Sequence, residues 1–201
     1  MRTSVVILAG GRSSRLGRDK SCLELNGQPL LARVVDLVSP LSDDLVVVAN
    51  DAARYGGMAL PARWVPDEVR GAGSLMGVYS GLKAARYSQA LAVACDMPFL
   101  SLPLLRYMLP LASGHDVVIP RVGGYLEPLH AIYAKACLPA MAGLLKQGRR
   151  QIIAFFDEVR VRYVEEDEVD RFDPRHLSFV NVNTPADWER AQQLLAEGYP
   201  T

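Results

Sequence analysis

Short apolar runs rich in valine, isoleucine and alanine recur along this chain at Val5–Ala9, Leu45–Ala49, Leu91–Ala94 and Val117–Ile119. Between and beyond them lie segments with apolar residues at helical spacing: Pro29–Val38, Leu75–Arg86, Leu102–Leu109, Lys135–Lys146 and Pro185–Leu195. An unbroken apolar run suits a strand buried on both faces, and strand then helix, repeated, predicts βαβ units around a mostly parallel sheet. Several helical segments open near proline or serine, as a first turn allows. After Gly123-Gly124 the pattern changes, and Glu127–Tyr133 and Glu158–Val164 read as further strands that add antiparallel pieces. At 201 residues, 50% of them apolar, the chain can build one sizeable core and has no room for two ordinary domains. Residues 1–201 are expected to form a single domain.

In an open α/β sheet the ligand crevice lies at the carboxyl ends of the strands, so residues just after each run carry the most information. The first run breaks into Gly10-Gly11, followed by Arg12, Arg15, Arg18 and Lys20 with no acid until Asp19. A strand ending in glycine frees backbone N–H groups to converge on an anion, and the basic residues can neutralise it. This is where a nucleotide triphosphate is expected. Gly11 to Gly17 is one residue too long for a Walker A loop, Lys20 does not follow a glycine, and no Gly-x-Gly-x-x-Gly is present.

Composition narrows the partners. The chain has 22 basic and 22 acidic residues, which argues against a general nucleic-acid surface and makes any strong anion site local. Three scattered cysteines, Cys22, Cys95 and Cys137, suit a reducing cytoplasm better than a disulfide framework or a structural zinc site. No apolar stretch approaches the roughly 20 residues that span a bilayer, and the N-terminus runs straight into a strand, so no membrane association is expected.

The other strand ends present Asn50-Asp51, Pro66-Asp67 and Cys95-Asp96-Met97-Pro98. Taken singly, each has a plain structural reading: a glycine turn, a solvated basic loop, a turn-forming Asn or Asp, or a helix cap at Asp96. Their common position at the strand ends of one sheet is what favours a site. An acid at Asp96 would face the triphosphate and be repelled by it. A Mg²⁺ ion between them resolves the conflict, because Mg²⁺ is bound through one or two carboxylates together with phosphate oxygens and water. Cys95 reads as a small buried residue, His130 as a packed strand residue, and Trp64 and Trp188 as core.

With these residues in view, the chain resembles the molybdenum cofactor guanylyltransferase (MobA) family, within nucleotidyltransferases of the sugar-nucleotide-pyrophosphorylase fold. The block Leu8-Ala9-Gly10-Gly11-x-Ser13-x-Arg15-Leu16-Gly17-x-Asp19-Lys20 is similar to that family's signature almost throughout, with Leu16 where Met is commoner. Further matches are Leu25-x-Gly27-x-Pro29-Leu30, Val48-Ala49-Asn50, Pro66-Asp67, Cys95-Asp96-x-Pro98-x-Leu100, Glu127-Pro128-Leu129-His130-Ala131-Ile132-Tyr133 and Phe179-Val180-Asn181-Val182-Asn183-Thr184-Pro185. They span nearly the whole length. One departure stands out: Gly73-Ser74-Leu75-Met76-Gly77 lies where the family has Gly-Pro-Leu-x-Gly.

The resemblance implies a Rossmann-like three-layer α/β/α fold with a mostly parallel, mixed central sheet. It implies transfer of GMP from GTP to the phosphate of molybdenum-molybdopterin, with release of pyrophosphate. Leu8, Ala9, Gly10 and Gly11 would cradle the guanine nucleotide, with Lys20 on its phosphates, Asn50 and Asp67 at further nucleotide contacts, and Asp96 as the Mg²⁺ ligand. Arg15, Lys20 and Asp96 would carry catalysis. Asn183 would complete the metal's surroundings. The pterin is expected across the cleft, near Arg121–His130, Arg149 and Arg150, with His130 and Asn181 among its contacts. A molybdenum-insertion protein and the chaperones of recipient molybdoenzymes are implied partners. Cytidylyl transfer to molybdopterin is the near alternative, though its enzymes tend to carry Ala where this chain has Gly10, and Gly10 leaves more space for a purine edge. A sugar-phosphate or cobinamide-phosphate nucleotidyltransferase is more distant, and a non-catalytic nucleotide-binding module belongs to another class.

Overall fold

The computed structural model describes residues 2–9, 22–55 and 58–198. The first apolar run forms β1 (Ser4–Leu8) inside an eight-stranded sheet. On one side it pairs in parallel with β4 (Leu45–Val48), which pairs in parallel with β5 (Arg63–Val65). On its other side lies β6 (Gln89–Ala94), also parallel. The sheet continues through β9 (His130–Ala134), antiparallel to β6, and β7 (Val117–Val122), antiparallel to β9, to the edge strand β10 (Val161–Glu165). The short β8 (Tyr125–Leu126) folds back on β7.

Alternate side chains of β1 serve opposite faces. Val5 and Ile7 pack with α1 (Leu30–Val38) and α3 (Leu102–Leu111), whereas Val6 and Leu8 pack with α2 (Ser74–Ala84) and α4 (Leu138–Lys146). Both faces of β1 are thus apolar and buried, which is why the run is continuous rather than alternating. The result is the expected three-layer α/β/α fold with a mixed, mostly parallel sheet. A third apolar cluster joins Leu25, Leu30, Phe99, Leu177 and Val182 to Ala191 and Leu194 of α6 (Pro185–Ala196).

Two expectations about the later half need correction. The strand predicted over 127–133 begins at His130, after the β8 turn. The strand predicted over 158–164 is preceded by a 3-10 helix (Ile152–Glu158) and begins at Val161, and it runs parallel to β7 instead of adding an antiparallel piece. The excursion through α4 and this 3-10 helix returns the chain to the end of the sheet where β9 stopped. There Ala134 N–H donates to Asp116 O (2.7 Å) and Asp116 N–H to Arg160 O (2.8 Å), so β10 starts beside the start of β7. A small hairpin, β2 (Glu24–Leu25) and β3 (Gln28–Pro29), precedes α1. Its Asn26-Gly27 corner takes φ of 54° and 76°, the left-handed pair that Asn-Gly accommodates in a two-residue hairpin turn.

Candidate functional site

Because β1, β4, β5 and β6 are mutually parallel, their carboxyl ends share one edge. Backbone bonds continue past the strands there: Ala9 N–H donates to Val48 O (2.9 Å), Ala49 N–H to Val65 O (2.9 Å) and Cys95 N–H to Leu8 O (3.0 Å). The residues that follow are thereby held on a fixed framework.

Asn50 and Asp67 form a reciprocal pair on this edge. The Asn50 amide donates to Asp67 Oδ2 (2.7 Å), and the Asp67 backbone N–H donates back to Asn50 Oδ1 (3.1 Å). The other carboxylate oxygen, Asp67 Oδ1, is buried and has no hydrogen-bond partner. A Cβ placed on Gly77 would lie 3.7 Å from that oxygen and 2.7 Å from Leu8 Cδ2, so Leu8 and Asp67 approach Gly77 closely and any larger residue at 77 would crowd Leu8. An unpaired buried acceptor costs about 1–3 kcal/mol, more when charged. Asp67 Oδ1 is therefore an acceptor set for donors that a ligand would bring.

The loop after β5 enters α2 through Gly73, whose φ of +88° is the left-handed region. Ser74 takes the first helical position, which proline also favours, so the helix forms without the family's proline. The Arg150 side chain lies against Gly73, its Cδ 3.6 Å from where a Cβ would be. Two segments 77 residues apart in sequence, at Gly73 and Arg150, thus meet at this edge.

Asp96 follows β6, and its carbonyl accepts from Val182 N–H (2.9 Å). That bond brings the segment Asn181-Val182-Asn183 beside Asp96. The segment is fixed by the start of α6: Thr184 caps the helix, and the Asp187 carboxylate accepts from the N–H groups of Asn183 (2.9 Å) and Thr184 (2.8 Å), a capping box of the Thr-x-x-Asp kind. Asn181 Nδ2 donates to Phe179 O (3.1 Å). On the other side of Asp96, Arg33 reaches from α1 to donate to Pro98 O (2.9 Å). Burial lowers the pKa of this guanidinium from its ordinary value.

Among the described residues, no group of three or more His, Cys, Asp or Glu could hold a metal ion. A single carboxylate at a strand end could still serve Mg²⁺, which takes its remaining ligands from phosphate oxygens and water. Asp96 is the residue that would hold it.

His130 departs from the expectation of a pterin contact. It is fully buried at the start of β9, opposite Val93, with Phe179 edge-on at 5.0 Å. Neither ring nitrogen has a hydrogen-bond partner, and burial pushes its pKa down to about 3. A contact between His130 and a ligand would require that cover to move. Arg149 and Arg150 are exposed. Gly10, Gly11, Arg12, Arg15, Arg18 and Lys20 lie outside the described residues.

Gly77, in the segment matched to the family's Gly-Pro-Leu-x-Gly, stands where Leu8 and Asp67 approach it closely. Tyr55, buried at the end of a 3-10 turn (Ala52–Tyr55), donates its hydroxyl to Ala9 O (3.0 Å), and no local pattern announces that contact.

Parallel strands ending together at an edge of polar side chains and an unsatisfied acceptor define an α/β nucleotide-binding protein of the open-sheet class. Residues 5–163 match the model of the MobA-like NTP transferase domain, and the chain belongs to that family. It is 36% identical over 201 residues to a probable molybdenum cofactor guanylyltransferase from Pelotomaculum thermopropionicum, covering 100% of this chain and 97% of the relative. It is also 36% identical to the molybdenum cofactor guanylyltransferase of Desulfosudis oleivorans, covering 96% of each. The crystal structure of molybdopterin-guanine dinucleotide biosynthesis protein A from Archaeoglobus fulgidus superposes with a TM-score of 0.85 at 29% identity, covering 97% of this chain and 100% of that one.

Proposed function

We infer that this chain transfers GMP from GTP to the terminal phosphate of molybdenum-molybdopterin, forming the guanine dinucleotide form of the cofactor and pyrophosphate. The observation that carries the choice of base is the buried, unpartnered Asp67 Oδ1 beside Asn50. Guanine presents N1–H and the 2-amino group side by side, two adjacent donors that suit a carboxylate acceptor. Cytosine offers a single amino group beside the N3 acceptor, which would face the same carboxylate unfavourably. Leu8 and Ala9, with Gly10 and Gly11, are proposed to hold the nucleotide above this pair.

In the reaction, a phosphate oxygen of molybdopterin attacks the α-phosphorus of GTP in line. The new O–P bond forms as the bond from the α-phosphorus to the bridging oxygen breaks, and the electron pair leaves with pyrophosphate. The nucleophile is already an anion, so a general base is unnecessary. Bringing two anions together is the difficulty, and positioning and charge neutralisation supply the catalysis. We assign Arg15 and Lys20 to the β- and γ-phosphates and Asp96 to the metal. Mg²⁺, when bound, supplies charge neutralisation beside the phosphates, and Asn183, next to Asp96, would complete its surroundings. Asn181, Arg149 and Arg150 are assigned to the pterin side, supported by the bond that sets residues 181–183 against Asp96 and by the contact of Arg150 with Gly73.

Residues 1–201 are read as one transferase domain, since a single sheet draws on strands from Ser4 to Glu165. No disulfide joins Cys22, Cys95 and Cys137, which suits a cytoplasmic setting. Among the described residues no helix is long and apolar enough to cross a membrane. A molybdenum-insertion protein and recipient chaperones would act downstream. Pyrophosphate release measured in parallel with GTP, CTP and ATP, each with molybdopterin and Mg²⁺, tests the reading. Turnover with GTP alone is expected; turnover only with CTP would replace guanylyl by cytidylyl transfer, and none with any nucleotide would favour a binding module.

A further inference from the structure

Tyr55 makes two contacts that join separate parts of the nucleotide edge. Its ring is stacked on Trp64 of β5, with centroids 5.0 Å apart and planes 13° from parallel. Its hydroxyl donates to Ala9 O at 3.0 Å, in a buried setting. The Ala9 N–H continues the ladder to Val48 O, while its carbonyl receives this side chain. Tyr55 follows Asn50 by one 3-10 turn, and Trp64 precedes Asp67 by three residues. The pair therefore lies on the chain between Asn50 and Asp67 and ties that stretch to the point where the chain leaves β1.

A buried tyrosine needs a partner for its hydroxyl, and many carbonyls could serve. The one used here belongs to the last described residue before the glycine run. We propose that Tyr55 is a positioning residue for the nucleobase, holding the β1 exit at a fixed spacing from the Asn50–Asp67 acceptor so that a purine edge fits between them. The proposal rests on the guanine-nucleotide reading given above. Its physical basis is that polar recognition loses strength steeply when donor and acceptor are displaced by an ångström or less. A residue that merely fills the core would affect every part of the nucleotide alike; one that sets the base pocket affects the base alone.

Calorimetric titration of Tyr55→Phe against two half-ligands separates these roles. Guanosine reports the base pocket, and inorganic tripolyphosphate with Mg²⁺ reports the phosphate end. The substitution keeps the stacked ring and removes the hydroxyl's bond to Ala9 O, so guanosine and GTP are expected to weaken by a common factor of about three- to tenfold, the range of a neutral hydrogen bond. Tripolyphosphate binding should stay unchanged, and the preference for GTP over ITP in turnover should fall. Trp64→Leu, which keeps the hydroxyl but removes the ring behind it, should give the same selective loss. An unchanged guanosine affinity in Tyr55→Phe, or a loss shared equally by tripolyphosphate, would overturn the proposal. If the unaltered protein binds cytidine as tightly as guanosine, the guanine site itself falls, and the positioning role with it.

Discussion

Two buried polar groups without partners lie at the same edge of the sheet, one in each half of the molecule, and they differ in kind. Asp67 ends a parallel strand in the first half, locked by Asn50 through one carboxylate oxygen with the other left bare beside Gly77. His130 begins the reversed strand β9 in the second half, with both ring nitrogens bare under Phe179. The carboxylate oxygen lies where Leu8 and Gly77 approach each other, at the end of the sheet proposed above for the base. The imidazole is sealed, and burial keeps it uncharged through the pH range in which proteins work.

Several substitutions sharpen this contrast. Asp96→Ala, at the junction of the halves, should abolish pyrophosphate release; near-normal turnover in Mg²⁺ would sink the metal assignment. Asp67→Asn should lower kcat/KM for GTP by about ten- to a hundredfold, the loss expected for a hydrogen bond to a charged acceptor. ITP, which lacks the 2-amino group, should suffer less, and equal losses for both nucleotides would remove the base contact. Replacing Arg149 and Arg150 together by alanine should weaken molybdopterin and spare GTP, as read by binding titrations with each. Affinity for the pterin retained in that variant would count against the assigned side of the cleft.

Gly77→Ala probes the shape of the base pocket. Its Cβ would stand 2.7 Å from Leu8 Cδ2, so the leucine must shift, and overpacking of this kind destabilises by about 1–3 kcal/mol. Denaturant unfolding should register that loss, together with weaker guanosine binding. His130→Leu should leave turnover at neutral pH close to that of the parent protein, since the imidazole is sealed. Its signature is in acid. The unfolded chain takes up a proton near pH 6.5, while the folded His130 does so only near pH 3. Between those values the unfolded state binds more protons, so stability falls as the pH falls, by at most about 1.4 kcal/mol per pH unit for one group. Unfolding curves of the leucine variant between pH 3 and pH 6.5 should lack that component, and parallel slopes for the two proteins would show that His130 is not sealed.

Much of the nucleotide edge was legible in the chain because parallel strands buried on both faces leave an unmistakable apolar run, and the residue after each run must lie at the carboxyl edge. Asn50 and Asp96 follow such runs, and Asp67 follows the shorter Trp64-Val65 segment. The antiparallel half was harder to read. A strand at 158–164 with alternating Val159, Val161 and Tyr163 gives no hint of its direction, which depends on where the preceding excursion returns. The Asn-Gly at 26–27 did carry a hairpin signal, but the flanking strands are only two residues each, too short for a periodic pattern.

What the sequence determined by itself was the alternation of strand and helix, the positions of the strand ends and the polar residues that occupy them, because these follow from local periodicity and turn chemistry. Only the tertiary structure decided what each of those residues touches. The bare oxygen of Asp67, the sealing of His130, the seat of Arg150 against Gly73 and the hold of Tyr55 on Ala9 all depend on contacts between segments far apart in the chain. Such contacts are set by how the layers pack, and no local pattern encodes them.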